Sequence, residues 1–434
     1  MRFTFSYRVW RRFRFPGNLF GPLLVTALCV SGVRAAVIEA EPSNHADPAL
    51  APAAVDLSPG PAYGPNRRPF QGIPGIARVA SGRLWATWYA GGPDEGPENY
   101  VALATSTDDG RTWTEITTVI DPPGEVRAFD PVLWIDPRGR MWWFYAQSYR
   151  WWDGRAGVWA VVTDDPQSAR PAWSAPRRLA DGIMMNKPTV LTSGDWLLPI
   201  SIWDYQPPRN LPADDRMHVP DSFLRWDPSR VGAWTYRTRD QGATFERLGV
   251  ARTFNVQFDE HMFVERRDGG IWLLARNKSG LAESFSTDGG RVWSESQAAA
   301  IPHIASRFFI RRLLSGRLLL VKHNPRMDTL WLAGKPARSG WGDRSHLTAY
   351  LSDDDGRTWH GGLVLDDRVA VSYPDGDEAA DGRIFVIYDY NRKTDREILL
   401  AVFTEADVAA GRLVAEDSRL RLLVNRAGLT PASP

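Results

Sequence analysis

Four residues of chemically useful type recur at one register of this sequence. Nine positions before Gly139, Gly269, Gly316 and Gly382 stand Asp130, Glu260, Arg307 and Tyr373. The same count from Gly82 and Gly194 gives Ile73 and Met185. One or two positions further on come His261, Lys187 and Asp375, and seven positions after the glycines come Arg276, His323 and Asp389. Acids, arginines, a lysine and a tyrosine in register are what a pocket for a polar, anionic sugar requires. Nearby Trp and Tyr would give its ring a stacking surface.

The six glycines belong to a repeat that must position these groups. Each opens a turn followed by an apolar strand, as in "SGRLWATWYA", "RGRMWWFYAQ", "SGDWLLPIS", "DGGIWLLARN", "SGRLLLVKH" and "DGRIFVIYD". A second pattern follows in step: "STDDGRTW", "TRDQGATF", "STDGGRVW" and "SDDDGRTW", with "TDDPQSARPAW" a degenerate copy. This is the Asp box. Its Asp accepts hydrogen bonds from the backbone of its own turn, its Gly takes a positive φ, and its aromatic packs under the hairpin. The role expected of Asp108, Asp288 and Asp354 is structural rather than calcium binding. Each repeat has room for four short antiparallel strands, so the chain is expected to be all-β, a six-bladed β-propeller with Asp-box hairpins over residues 63–434. The sixth repeat carries only a vestigial box, "FTEADV", and the later "RLRLLVNRAG" either completes a blade or packs on the rim. Eight positions before the boxes lie Glu98, Arg155, Arg230, Lys278 and Arg344, a third ring that unequal loops should blur.

Composition agrees with short strands and many turns: 20 Trp, 37 Gly and 32 Pro in 434 residues. Residues 1–35 read as a secretory signal peptide, with a basic start, a fifteen-residue apolar stretch and a small-residue exit. Its removal takes away the sole cysteine, Cys29, and with it thiol catalysis and cysteine metal sites. Six arginines go too, which leaves 46 basic residues against 51 acidic ones and nothing that favours nucleic acid or an anionic membrane as partner. A periplasmic or secreted location is expected, as is independence of metals and cofactors. Residues 36–62, rich in Ala and Pro, read as a loose leader.

At the level of segments the chain resembles the sialidase superfamily. "FDEHMFVERRDGGIWLLARN" is similar to the sialidase segment in which a Glu opens one strand and an Arg-Asn closes the next. The resemblance makes Glu260 the base beside the nucleophile and Arg276 a carboxylate-binding arginine. "GDRSHLTAYLSDDDGRTW" is similar to the segment that carries a further such arginine, here Arg344. "VSYPDGDEAADGRIFVIYD" resembles the segment bearing the nucleophilic tyrosine, here Tyr373, and its closing Asp389 lies where sialidases hold a carboxylate behind their first arginine. That first arginine belongs to an Arg-Ile-Pro opening. Here "QGIPG" puts Gly72 in its place, with Arg67, Arg68 and Arg307 as candidates to replace it. For the general acid, position points to Glu98, with Glu95 and Asp94 behind it.

These readings imply an exo-glycosidase that releases a terminal acidic sugar with retention. The substrate-binding set would be Arg276, Arg344, Arg307, Asp130, Lys187, His261, Asp375 and Asp389. The alternatives are a lyase or atypical hydrolase on uronate-containing chains, with His261, Lys187 or His323 as base, and a glycan-binding propeller without catalysis.

Overall fold

A computed structural model of the chain describes residues 48–149, 156–203, 227–256, 258–324 and 344–428. The expected signal peptide, Cys29 and Arg155 lie outside these residues. Ala36–Pro434 forms one compact unit. Its described strands make six antiparallel sheets, each built from consecutive strands of the chain.

The innermost strands are Gln71–Arg78, Val126–Ile135, Thr189–Val190, Met262–Glu265, Phe309–Arg312 and Val371–Glu378. They number the blades 1 to 6. The inner strand of blade 6 packs against that of blade 1 and closes the circle. The repeated glycines sit in the turns after these strands with φ between 81° and 102°. Gly82 N–H donates to the Val79 carbonyl at 2.8 Å, and Gly139 repeats the bond with Asp136 at 2.8 Å. A side chain on these glycines would carry the strain of a left-handed conformation.

At the ends of the chain the structure chooses between two alternatives and adds a strand. "RLRLLVNRAG" supplies Arg419–Arg426, the fourth strand of blade 6. The leader is not wholly loose: Val55–Asp56 pairs with Val119 and Ile120 as a fifth strand outside blade 1.

The Asp boxes form the turns foreseen. In blade 1 the Ser106 hydroxyl donates to Asp108 Oδ1 at 2.8 Å, and Asp108 accepts from Thr112 N at 2.9 Å and Thr112 Oγ1 at 2.6 Å. Asp240 and Asp354 repeat this pattern with Thr244 and Thr358. The boxes also space the blades. A Cβ on Gly242 of the blade 3 box would lie 2.5 Å from the Trp142 ring of blade 2. Gly356 of the blade 5 box stands likewise 2.6 Å from Trp272 of blade 4, and Gly110 of blade 1 stands 2.3 Å from Leu400 of blade 6. Each turn thus lets the preceding blade press against backbone. The sixth box is not a box at all. Thr404 caps a short α-helix, Glu405–Ala410, through a reciprocal bond with Asp407. This helix packs on blade 5, where Glu405 pairs with Arg317 at 3.0 Å and Gly361 admits the Val408 carbonyl.

Candidate functional site

A backbone irregularity aims the first ring of side chains. Ile73, Asp130, Glu260 and Tyr373 all have positive φ, at 57°, 48°, 41° and 56°. In blades 1, 2 and 6 the register between the two inner strands slips at this point, and a proline follows the irregular residue. Proline donates no hydrogen bond, so it is tolerated in a strand where the ladder is already broken. The left-handed conformation costs a non-glycine residue about 1–3 kcal/mol, and such costs gather at functional sites. Arg307 lacks a positive φ, and its side chain is not delivered to the same place.

The four residues that share this conformation line one cavity of about 500 Å³. On one side of it Tyr373, Glu260 and Arg276 form a closed triangle. The Tyr373 hydroxyl donates to Glu260 Oε1 at 2.7 Å. Arg276 Nη1 donates to the same carboxylate oxygen at 2.6 Å and to Tyr373 Oη at 2.9 Å. Glu260 Oε2 is buried without a hydrogen-bond partner. Burial, reinforced by the Glu260 charge and partly offset by Arg276, Arg344 and Arg392, pushes the phenol up to about 12, so Tyr373 rests neutral. Burial disfavours the Arg276 charge, but Glu260 and Tyr373 outweigh it and hold the group above its ordinary range.

Two more guanidinium groups lie over the Tyr373 ring, Arg344 at 5.1 Å and Arg392 at 4.3 Å from its centroid. They meet at the Ser372 hydroxyl, which is 3.5 Å from Arg344 Nη1 and 3.0 Å from Arg392 Nη2. Asp130 is of opposite character. Burial, with the Glu95 charge adding to it, raises its carboxyl to about 8, so it is protonated near neutrality. Phe70, Tyr89, Phe129, Trp203 and Phe258 supply apolar wall. Asp94 and Glu95 also line the cavity and face Lys393 and Arg392, Glu95 at 3.5 Å.

The BNR repeat-like domain family matches residues 82–386, most of the chain. The chain belongs to that family. Among curated proteins, this family member is 24% identical over 324 residues to a sialidase of Bacteroides fragilis (strain YCH46). That match covers 66% of the chain and spans 53% of the relative, about half its length. Among solved structures, the Hadza microbial sialidase Hz136 has a TM-score of 0.58 at 18% identity, covering 79% of this chain and 67% of that one. The intramolecular trans-sialidase from Ruminococcus gnavus, in complex with oseltamivir carboxylate, has a TM-score of 0.54 at 14% identity, with 79% and 96% covered. A protein of unknown function from Dyadobacter fermentans DSM 18053 has 0.55 at 15%, with 79% and 95% covered. At these identities the structural likeness shows the six-bladed fold.

Within this BNR repeat-like propeller the sequence-derived set divides. Tyr373, Glu260, Asp130 and Arg344 line the cavity, and Arg276 joins them through the triangle. Lys187, Arg307 and Asp375 do not reach it. They form a buried cluster where the inner strands converge: Lys187 pairs with Asp375 and donates to the Ile76 carbonyl at 2.7 Å. Arg307 donates to Asn186 Oδ1 at 2.7 Å and faces Asp375 at 3.6 Å. His261 is also a packing residue, held between Ser201 Oγ and the Trp234 carbonyl at 3.1 Å each, with burial lowering it to about 3. Asp389 sits behind the cavity and accepts from Ser372 Oγ at 2.7 Å and Ile73 N at 2.8 Å.

Glu98 is exposed and does not line the cavity. The cause is local. Asn99 draws the loop tight by donating to the Gly91 carbonyl at 2.7 Å and the Asp94 carbonyl at 3.0 Å, which presents residues 94 and 95 inward instead. Of the described third ring only Arg344 lines the cavity, because the loops before the boxes differ in length. Arg67 is exposed, and Arg68 is buried away from the lining. Arg392 escaped sequence reasoning: it belongs to a turn outside every repeated register. Its one signal was its place three residues after Asp389. Among the described residues no cluster of His, Cys, Asp and Glu is arranged to hold a metal ion.

Proposed function

We propose that this protein is a retaining exo-glycosidase of the sialidase type, acting on a terminal sugar that carries a carboxylate at its anomeric carbon. One observation carries the reading: a neutral tyrosine hydroxyl bonded to a buried glutamate, with guanidinium groups beside both. A phenol is a poor nucleophile until its proton has somewhere to go. Glu260 Oε1 is in place to take it, and Arg276, bonded to the phenol oxygen, stabilises the phenolate as it forms. A neutral nucleophile also avoids the repulsion that a carboxylate would feel from an anionic sugar.

In the first step Tyr373 Oη bonds to the anomeric carbon and its proton passes to Glu260. The glycosidic C–O bond breaks, and its electron pair goes to the leaving-group oxygen, which a carboxyl of the Asp94–Glu95 turn protonates. In the second step water attacks the anomeric carbon and gives a proton to that carboxylate. The tyrosyl C–O bond breaks and Glu260 returns its proton to the phenolate. Arg344 and Arg276 would pair with the sugar carboxylate, and protonated Asp130 would donate to a sugar oxygen or accept from a hydroxyl. Export through the residue 1–35 leader is part of the same proposal.

A sialoside with fluorine beside the anomeric carbon slows the second step, so the tyrosyl adduct should accumulate and appear as added mass on the peptide holding Tyr373. Tyr373→Phe should give no adduct and lose hydrolysis by at least about a thousandfold, the usual order for loss of a nucleophile. Release of a product without added water, from a uronate-containing oligosaccharide, would overturn the reading in favour of a lyase. His261, Lys187 and His323, the bases such a lyase would need, do not line the cavity.

A further inference from the structure

We infer that Arg392 replaces the missing arginine of the carboxylate clamp, delivered from blade 6 instead of blade 1. The inference rests on the sialidase-type reading above. A Cβ built on Gly72 would lie 2.7 Å from both Cγ and Cδ of Arg392 and 2.8 Å from its Nε. The space that a side chain at position 72 would enter is filled by the Arg392 side chain. Gly72 is therefore the condition for Arg392 to lie where it does.

Its partners are those of a preset anion-binding group. Arg392 Nε donates to Asp389 Oδ2 at 2.9 Å, and Nη2 donates to Ser372 Oγ at 3.0 Å. The Asp389 carboxylate, which the sialidase resemblance implies stands behind a blade 1 arginine, here holds an arginine from its own blade. The guanidinium lies over the Tyr373 ring and lines the cavity. Arg344 reaches the same Ser372 hydroxyl and lies over the Tyr373 ring, and Arg276 reaches the Tyr373 hydroxyl, so three cations gather about the Tyr373 side chain.

The backbone that carries Arg392 is also fixed. Asn391 N donates to the Ala370 carbonyl at 3.0 Å, and the Asn391 carbonyl accepts from Arg396 N at 2.8 Å. Gln71 N donates to the Arg392 carbonyl at 3.2 Å, tying the turn to the strand that lacks the arginine. A clamp held this way spends little conformational entropy on binding.

Isothermal titration with a 2,3-unsaturated sialic acid and with its neutral carboxamide tests the assignment. Wild type should prefer the acid. Arg392→Ala should weaken acid binding about 10- to 100-fold and leave the carboxamide within about threefold, the range for one charge-assisted bond. Arg392→Lys should fall between, since a point charge cannot match a planar fork. Placing the arginine back at its other origin, in the double variant Gly72→Arg with Arg392→Ala, should recover acid preference. Thermal melting confirms that each variant is folded. Acid binding by Arg392→Ala and Arg392→Lys within twofold of wild type overturns the role of Arg392 while leaving the sialidase-type reading intact. Failure of folded wild type to bind or prefer the acid overturns both.

Discussion

Asp130 gives the cavity a signature in its pH dependence. The folded protein keeps the Asp130 proton up to about pH 8, and the unfolded chain releases it near 3.8. Across that window the native state binds more protons, so Asp130 makes stability fall as pH rises. Asp259, raised to about 7 chiefly by burial, acts in the same sense. His261 and His303, lowered to about 3, act oppositely but only below their ordinary 6.5. Between pH 6.5 and 8 the two acids act in this sense, opposed toward the upper end by Lys322, which burial lowers to about 8. Chemical denaturation of Asp130→Asn should show a shallower loss of stability across that interval than wild type. An equal slope in the two proteins would remove Asp130 as its source.

At the scale of elements, the Asp box and the irregular inner strand divide the work. The box holds neighbouring blades at their spacing, and the irregularity aims one residue per blade. Gly242 joins both demands of the box, a φ of 87° and contact with Trp142. Gly242→Ala should destabilise the fold by about 1–3 kcal/mol, because the new methyl would press on the Trp142 ring, which is packed against Phe144, Trp196 and Phe245. Its catalytic constants should stay near wild type in the folded fraction, as read by melting and steady-state kinetics together. The short helix Glu405–Ala410 does the same spacing in blade 6. Its sequence resembles a decayed box because Thr404 and Asp407 are residues of both motifs. In the structure their reciprocal bond caps a helix.

In the whole molecule, the buried cluster of Lys187, Arg307 and Asp375 ties together blades that are remote in sequence. Asp375 accepts from Ile76 N at 2.9 Å besides pairing with Lys187, so blades 1 and 6 meet there with the start of blade 3. Asp375→Asn would leave the buried Lys187 without its carboxylate partner. The expected loss is about 3–5 kcal/mol of stability. Guanidinium denaturation measures it, and a change below 1 kcal/mol would show that the cluster is not holding the blades.

The propeller is legible in the sequence because its determinants are local and repeated. A glycine turn, an apolar strand and an Asp box each form within a few residues, and six copies in step leave one closed arrangement. The same register found Tyr373, Glu260, Arg276, Arg344 and Asp130, since their delivery depends on position in the repeat. What occupies the space above Gly72, which carboxylates of the 91–99 loop turn inward, and which charged residues of the rings are buried ties emerge only in the folded molecule. Those outcomes depend on side chains crossing between blades and on loops of unequal length. Arg392 fills the space beside Gly72 across 320 positions of sequence, and no local pattern encodes the room that a missing side chain leaves for it.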